Sequence, residues 1–332
     1  MIYKIDFCDF WDSFDKEDNY FINTLRNIYG NEKVVISKQP DFLFFSCFGF
    51  KNLRYDCVKI FFTGENLAPD FNICDYAIGM HEIRFEDRYF RLPFFMLYPE
   101  MCQKAVFRNR KDDYANRKFC CYVISNTLGA SQRNEMINLL ASYKKIDSGG
   151  KLNNNVGGPV KDKLEFISDY KFSMCFENSS SVGYTTEKIV EGFAGGGIPI
   201  YWGNPNATKE FNPDAFVNCN DFDNLSQALD YVKYLDKDDS AYARMLHAPI
   251  FAEGQDDFNK IQSGLEKYLI HILDKRTKRI NDIYIGRKYM CRMKFFAPWF
   301  DLYRMGERSI GYAENLMNTK RKRYDYSSDD MS

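Results

Sequence analysis

Short apolar runs of strand length, separated by polar turns and stretches of helical spacing, constrain this chain most. Val34-Val35-Ile36, Phe42 to Phe45, Val58 to Phe62 and Tyr76-Ala77-Ile78 are each rich in β-branched or aromatic residues, as is Phe119 to Ile124. Gln132 to Tyr143 then carries Met136, Leu139 and Leu140 at helical spacing, with Ser131 placed to cap it. The pattern restarts after Ser148 to Pro159. A helix over 161–168 precedes the strand Lys171 to Phe176, Thr186 to Phe193 reads as a helix, and Ile198 to Trp202 and Phe216-Val217-Asn218 read as strands. Helices over Asn224 to Leu235 and Phe258 to Leu273 close the series. Strands alternating with helices predict an α/β fold of parallel sheets covered on both faces, with ligands beyond the carboxyl ends of the strands. The passage SGGKLNNNVGGP is the richest in turn residues and predicts a junction between domains at 155/156.

The 332 residues suffice for two domains, and an aromatic content of 17% fits well-filled cores without selecting a function. The N-terminus reads MIYKIDFCDFWDSF, which has the pattern of neither a secretory signal nor a membrane span. The expected location is therefore cytoplasmic. The ten cysteines show no C-x-x-C spacing, so reduced thiols are expected in place of a zinc site or a disulfide framework. The N-x-S/T triplets at Asn178, Asn206 and Asn224 are read as chance matches.

Charge is uneven. Net charge is −1, but Lys275 to Arg323 holds 14 Lys/Arg against 4 Asp/Glu, a local excess of 14 − 4 = +10. Within it, Arg287 to Arg308 interleaves cations with Phe, Trp, Met and Tyr. This composition suits an anionic membrane surface over 287–323, with the protein peripheral on the inner face. It suits equally a tail over 275–332 that packs back across the domains. Pro298 is expected to interrupt any single helix there. Nothing beyond the KRKR run supports nucleic-acid binding, which is not expected.

Cys175 to Lys188, CFENSSSVGYTTEK, is a strand emptying into a polar loop and then a helix. Lys188 in the first helical turn adds charge to free backbone N–H groups that favour an anion, and Asn178 and the serines can donate hydrogen bonds. From local physics the same run is equally a capped helix, with Thr185 or Thr186 as N-cap and Glu187 opposing the dipole. Gly195-Gly196-Gly197, just ahead of a strand, reads as a helix-ending turn and not a phosphate loop.

FENSSSVGYTTEKIVEGFAGGGIPIYWG resembles the signature of the GDP-fucose-dependent α1,3/4-fucosyltransferases in their bacterial, Helicobacter-type branch. Phe61 to Phe95, FFTGENLAPDFNICDYAIGMHEIRFEDRYFRLPFF, is similar to the acceptor-side segment of the bacterial members. The blocks agree in order and spacing over roughly residues 55 to 270. The resemblance implies a GT-B architecture: two Rossmann-like doubly wound domains facing an interdomain cleft, with residues 1–155 binding the acceptor and 156–274 binding GDP-fucose. It implies an inverting transfer of L-fucose from GDP-β-L-fucose to a hydroxyl of an N-acetyllactosamine-type glycan on lipopolysaccharide or capsule, in α1,3 linkage with α1,4 left open. By position, Lys188 and Arg133 would meet the diphosphate, Glu187 the donor hydroxyls, and Asn178 and Tyr184 further parts of the donor. Glu82 matches the general base, with Glu86 and Asp87 as neighbouring alternatives; Glu65 is assigned to acceptor-side structure. No metal ligands and no obligatory cofactor are implied, with stimulation by a divalent cation left open. Two rivals stand beside this reading: a GT-B transferase of another nucleotide sugar, and a catalytically silent glycan-binding relative.

Overall fold

A computed structural model describes residues 1–107, 116–126, 129–251, 258–280 and 284–300. The chain divides into two compact units. Unit one comprises 1–63, 69–77 and the chain from His271 onward; unit two comprises 64–68 and 78–270.

Unit one contains β1 (Tyr3–Cys8), α1 (Tyr20–Tyr29), β2 (Val34–Ile36), β3 (Phe42–Phe45), β4 (Val58–Phe62) and the start of β5 (Tyr76–Gly79). These strands lie in the order β2-β1-β3-β4-β5, and β1 pairs in parallel with β2 and β3. The runs FLFF and VKIFF are buried at every position, as a strand covered on both faces requires. Asn19 caps α1, its side chain accepting from the N–H groups of Phe21 and Ile22.

In unit two the chain forms β6 (Tyr89–Arg91), α2 (Pro99–Val106), β7 (Lys118–Tyr122), α3 (Ser131–Tyr143), β8 (Ile146–Ser148), α4 (Lys163–Ser168), β9 (Tyr170–Phe176), α5 (Glu187–Ala194), β10 (Ile198–Trp202) and β11 (Val217–Asn218). Then come α6 (Leu225–Lys237), α7 (Asp239–His247) and α8 (Phe258–Lys275), along which the chain returns to unit one. The second sheet has the order β11-β10-β9-β7-β8, its paired strands parallel. β9 is buried throughout, and α3, α6 and α7 share one apolar core with this sheet. Two parallel sheets with helices agree with the GT-B expectation.

Three expectations change. The junction expected at 155 lies inside unit two, because β7 and β8, both ahead of it, belong to the sheet built on β9. The glycine- and asparagine-rich passage is a tightly bonded loop: Gly149 N donates to Tyr122 O, Leu152 N to Ile124 O, Asn155 and Asn154 bond the backbone of Ile146 and Ser148 at its start, and Asn154 Oδ1 accepts from Gly158 N near its end. Ser131 is the first residue of α3 and Ala130 occupies the cap position, with no side-chain cap. The basic tail is helical over 284–300 and runs through Pro298. It packs within unit one, with Tyr289 Oη 2.6 Å from Asp70 Oδ2 and Phe300 5.1 Å from Phe50 between ring centroids. Residues 301–323 of the expected membrane segment lie outside the described residues.

Candidate active site

In the second sheet β7 connects through α3 to β8 on one side, while its other neighbour, β9, connects through α5 to β10 on the opposite side, so the connections leaving these two adjacent strands diverge at their carboxyl ends. Such a switch point leaves a crevice where doubly wound sheets bind ligands. Here it holds a small crevice of about 20 Å³, lined by Val123, Ile124, Lys163, Cys175, Phe176 and Lys188 among others. Two loops flank it: one follows β7 and leads to Arg133, the other follows β9 and runs from Glu177 to α5.

These loops are joined. Ala130 N donates to Asn178 O at 2.9 Å, and Arg133 Nη1 donates to Asn178 Oδ1 at 3.3 Å. Arg133 is 1% exposed, its Nη2 bonds Asn126 O at 2.9 Å, and its Nε has no partner among the described residues. A buried guanidinium with a spare donor is chemically suited to an anion.

The start of α5 is held unusually. Thr186 is the N-cap, but its side chain does not cap the helix. Instead the fully buried Glu177 carboxylate accepts from Thr186 N and Thr186 Oγ1, both at 2.7 Å, and from Lys188 Nζ at 3.1 Å. Lys188 also donates to Thr186 Oγ1 at 2.9 Å and lies 3.7 Å from Glu187 Oε1. Burial pushes the Glu177 carboxyl up, with Lys188 and Thr186 opposing that rise. Burial works against the Lys188 ammonium, but Glu177 and Glu187 together hold its pKa above the usual range. Lys188 is thus a fixed cation at the helix tip, its side chain 24% exposed. Sequence reasoning gave Glu177 no role; its place just before Asn178 and one residue past a buried strand was the available signal.

Tyr184 is 2% exposed, with its hydroxyl pKa raised chiefly by burial. It therefore supports the loop from within and presents no open ring to a ligand. The turn just before it depends on Gly183, whose φ is +89° and whose N donates to Asn204 Oδ1 at 2.8 Å. A Cβ on Gly183 would come within 2.5 Å of Met80 O and 2.8 Å of Glu82 N, so the two loops pass backbone against backbone. Asn66 adds a latch: it accepts from Ser181 Oγ at 2.5 Å, donates to Ser179 Oγ at 2.7 Å and meets His81 Nε2 at 2.9 Å. The segment carrying Glu82 is thereby set beside the loop carrying Asn178. Glu65 and the neighbouring carboxylates Glu86 and Asp87 all have partners of their own.

The chain matches two family models: the alpha-(1,3)-fucosyltransferase FucT N-terminal domain over residues 5–98, and the glycosyltransferase family 10 (fucosyltransferase) C-terminal domain over residues 114–247. It is 39% identical to the alpha-(1,3)-fucosyltransferase FucT of Helicobacter pylori, over 59% of this chain and 48% of that one. It is 27% identical to the putative fucosyltransferase R654 of Acanthamoeba polyphaga mimivirus, over 64% of this chain and 37% of that one. The chain thus spans about half the length, or less, of these curated relatives. Among solved structures it resembles an α1,3-fucosyltransferase crystallised with GDP-fucose, with a TM-score of 0.68 and 30% identity, covering 85% of this chain and 93% of that one.

Proposed function

Because the chain belongs to glycosyltransferase family 10, the fucosyltransferases, we propose that it is an inverting α1,3-fucosyltransferase that moves L-fucose from GDP-β-L-fucose to a hydroxyl of an N-acetyllactosamine-type glycan. The observation carrying this reading is the convergence of Arg133, Asn178 and the helix-tip Lys188 around the β7/β9 switch point. Two fixed cations beside a helix N-terminus suit a diphosphate, and the family fits GDP-fucose to that chemistry.

In the proposed reaction the acceptor oxygen attacks the anomeric carbon on the face opposite GDP. The bond from that carbon to the β-phosphate oxygen breaks, and its electron pair leaves with GDP. Lys188 and Arg133 take up the charge developing on the diphosphate, Glu187 holds donor hydroxyls, and Asn178 fixes Arg133. Glu82 accepts the acceptor's proton, the role that inverting enzymes give to a carboxylate. No metal is assigned to the step, and transfer is expected to survive EDTA.

No helix among the described residues is long and apolar enough to cross a membrane. The helix over 284–300 nevertheless exposes Ile285, Phe295, Trp299 and Phe300, at 71%, 70%, 65% and 52%, beside Arg287, Lys288, Arg292 and Lys294. We assign it to an anionic lipid surface, where rings enter the interface and cations meet headgroups.

The test is incubation with GDP-fucose and a glycan panel, read by mass spectrometry with linkage analysis, alongside calorimetric titration with GDP-fucose, GDP-mannose and UDP-sugars. Deoxyhexose gained in α1,3 linkage, with GDP-fucose bound preferentially, is the expected result. Preference for a UDP-sugar contradicts the reading.

A further inference from the structure

Both oxygens of the Glu82 carboxylate are held by one short stretch of unit two. Lys209 Nζ lies 2.8 Å from Glu82 Oε2, and Asn206 Nδ2 lies 3.1 Å from Oε1. That stretch is rigidly founded. Asn204, fully buried, accepts at Oδ1 from Asn206 N at 2.9 Å and from Gly183 N, and donates from Nδ2 to Thr185 Oγ1 at 2.9 Å. Its own N–H donates to Tyr201 Oη at 3.0 Å. A few residues on, the buried Glu210 is ion-paired with Arg91, whose Nε donates to Met80 O at 2.9 Å. The loop that holds the Glu82 carboxylate therefore also holds the donor loop at Gly183 and, through Arg91, the backbone two residues before Glu82.

We infer that Lys209, assisted by Asn206, is a positioning residue that fixes both carboxylate oxygens of Glu82 and so orients the atom that takes the acceptor's proton. The inference rests on Glu82 being the base. A carboxylate offers about four lone-pair sites, so one bond on each oxygen leaves room for the acceptor hydroxyl. The charges around Glu82 favour its ionised form. Burial opposes ionisation, but bonds from Lys209 and Asn206 and the charges of Lys209 and Arg91 hold the Glu82 carboxyl below its ordinary range. The nearby Glu210 carboxylate faces Arg91, and His81 is turned to Asn66, with burial and Arg91 lowering its pKa. Arg84, Glu86 and Asp87 follow on the same loop. Lys209 itself is 62% exposed, so substitution there leaves the fold intact and the charge effect is modest.

The experiment compares kcat and kcat/KM against pH for the wild type, Lys209→Met, Lys209→Arg and Glu82→Gln, using GDP-fucose and N-acetyllactosamine, with GDP-fucose affinity measured by calorimetry. Glu82→Gln is expected to lose transfer by about 100-fold or more while binding GDP-fucose normally. Lys209→Met is expected to move the acid limb upward by on the order of half a pH unit, because Glu82 then protonates more readily. Its kcat falls about three- to fivefold with GDP-fucose affinity unchanged, and Lys209→Arg restores both. A wild-type acid limb and kcat in Lys209→Met, with Glu82→Gln inactive, overturn the positioning role alone. Full transfer by Glu82→Gln overturns the base assignment, and this inference with it.

Discussion

Lys188 serves two purposes whose effects separate by mutation. It faces the cleft, and it neutralises the fully buried Glu177 carboxylate that anchors Thr186. Lys188→Ala leaves that carboxylate buried without its ammonium, which destabilises by on the order of 3 kcal/mol, since breaking a buried pair is costly. Lost activity in that variant therefore mixes unfolding with lost chemistry. The pair Lys188→Met with Glu177→Gln removes both charges and is expected to recover most of the melting temperature while GDP binding stays weak. Recovery of GDP affinity along with stability, read by calorimetry and thermal melting, would show that Lys188 does not hold the diphosphate. Glu177 was faint in the sequence because burial of a single carboxylate leaves no periodic trace beyond its place just past a buried strand; its three donors, contributed by Thr186 and Lys188, reveal its role.

Among the elements, the strands legible in the sequence were those made mostly of apolar residues. VVI, FLFF, VKIFF and IPIYW appear as strands with the bounds their apolar runs suggest. β1 went unread because Lys4 and Asp6 break its run, and β8 because three residues reading Ile-Asp-Ser carry no pattern. The passage taken for a linker shows why composition misleads: glycines and asparagines also build loops whose side chains replace the ladder, as Asn154 and Asn155 do. The donor loop was legible as a polar turn, but which backbone comes up against Gly183 was not. Gly183→Ala is expected to destabilise unit two by about 1–3 kcal/mol from the left-handed backbone alone. It also drives the 178–184 loop off the Met80–Glu82 backbone, so transfer should fall further than stability does. Thermal melting beside steady-state kinetics checks this, and an alanine variant with wild-type kcat contradicts the backbone-to-backbone contact.

At the scale of the whole molecule, a basic helix with exposed aromatic residues lies at the end of the described chain, within unit one. Phe295→Ser with Trp299→Ser is expected to abolish cosedimentation with anionic phosphatidylglycerol vesicles while leaving transfer to a soluble acceptor unchanged. Binding should weaken with added salt and be absent on neutral phosphatidylcholine vesicles. Equal binding by the double variant contradicts the lipid assignment. In unit two, the strand, loop and helix from β9 to α5 are proposed to hold the diphosphate of a guanosine donor. The most direct test is the structure of this protein with GDP-fucose bound. The diphosphate is expected at the β7/β9 switch point, within hydrogen-bond reach of Lys188 and Arg133; a diphosphate bound away from the α5 tip would contradict that role.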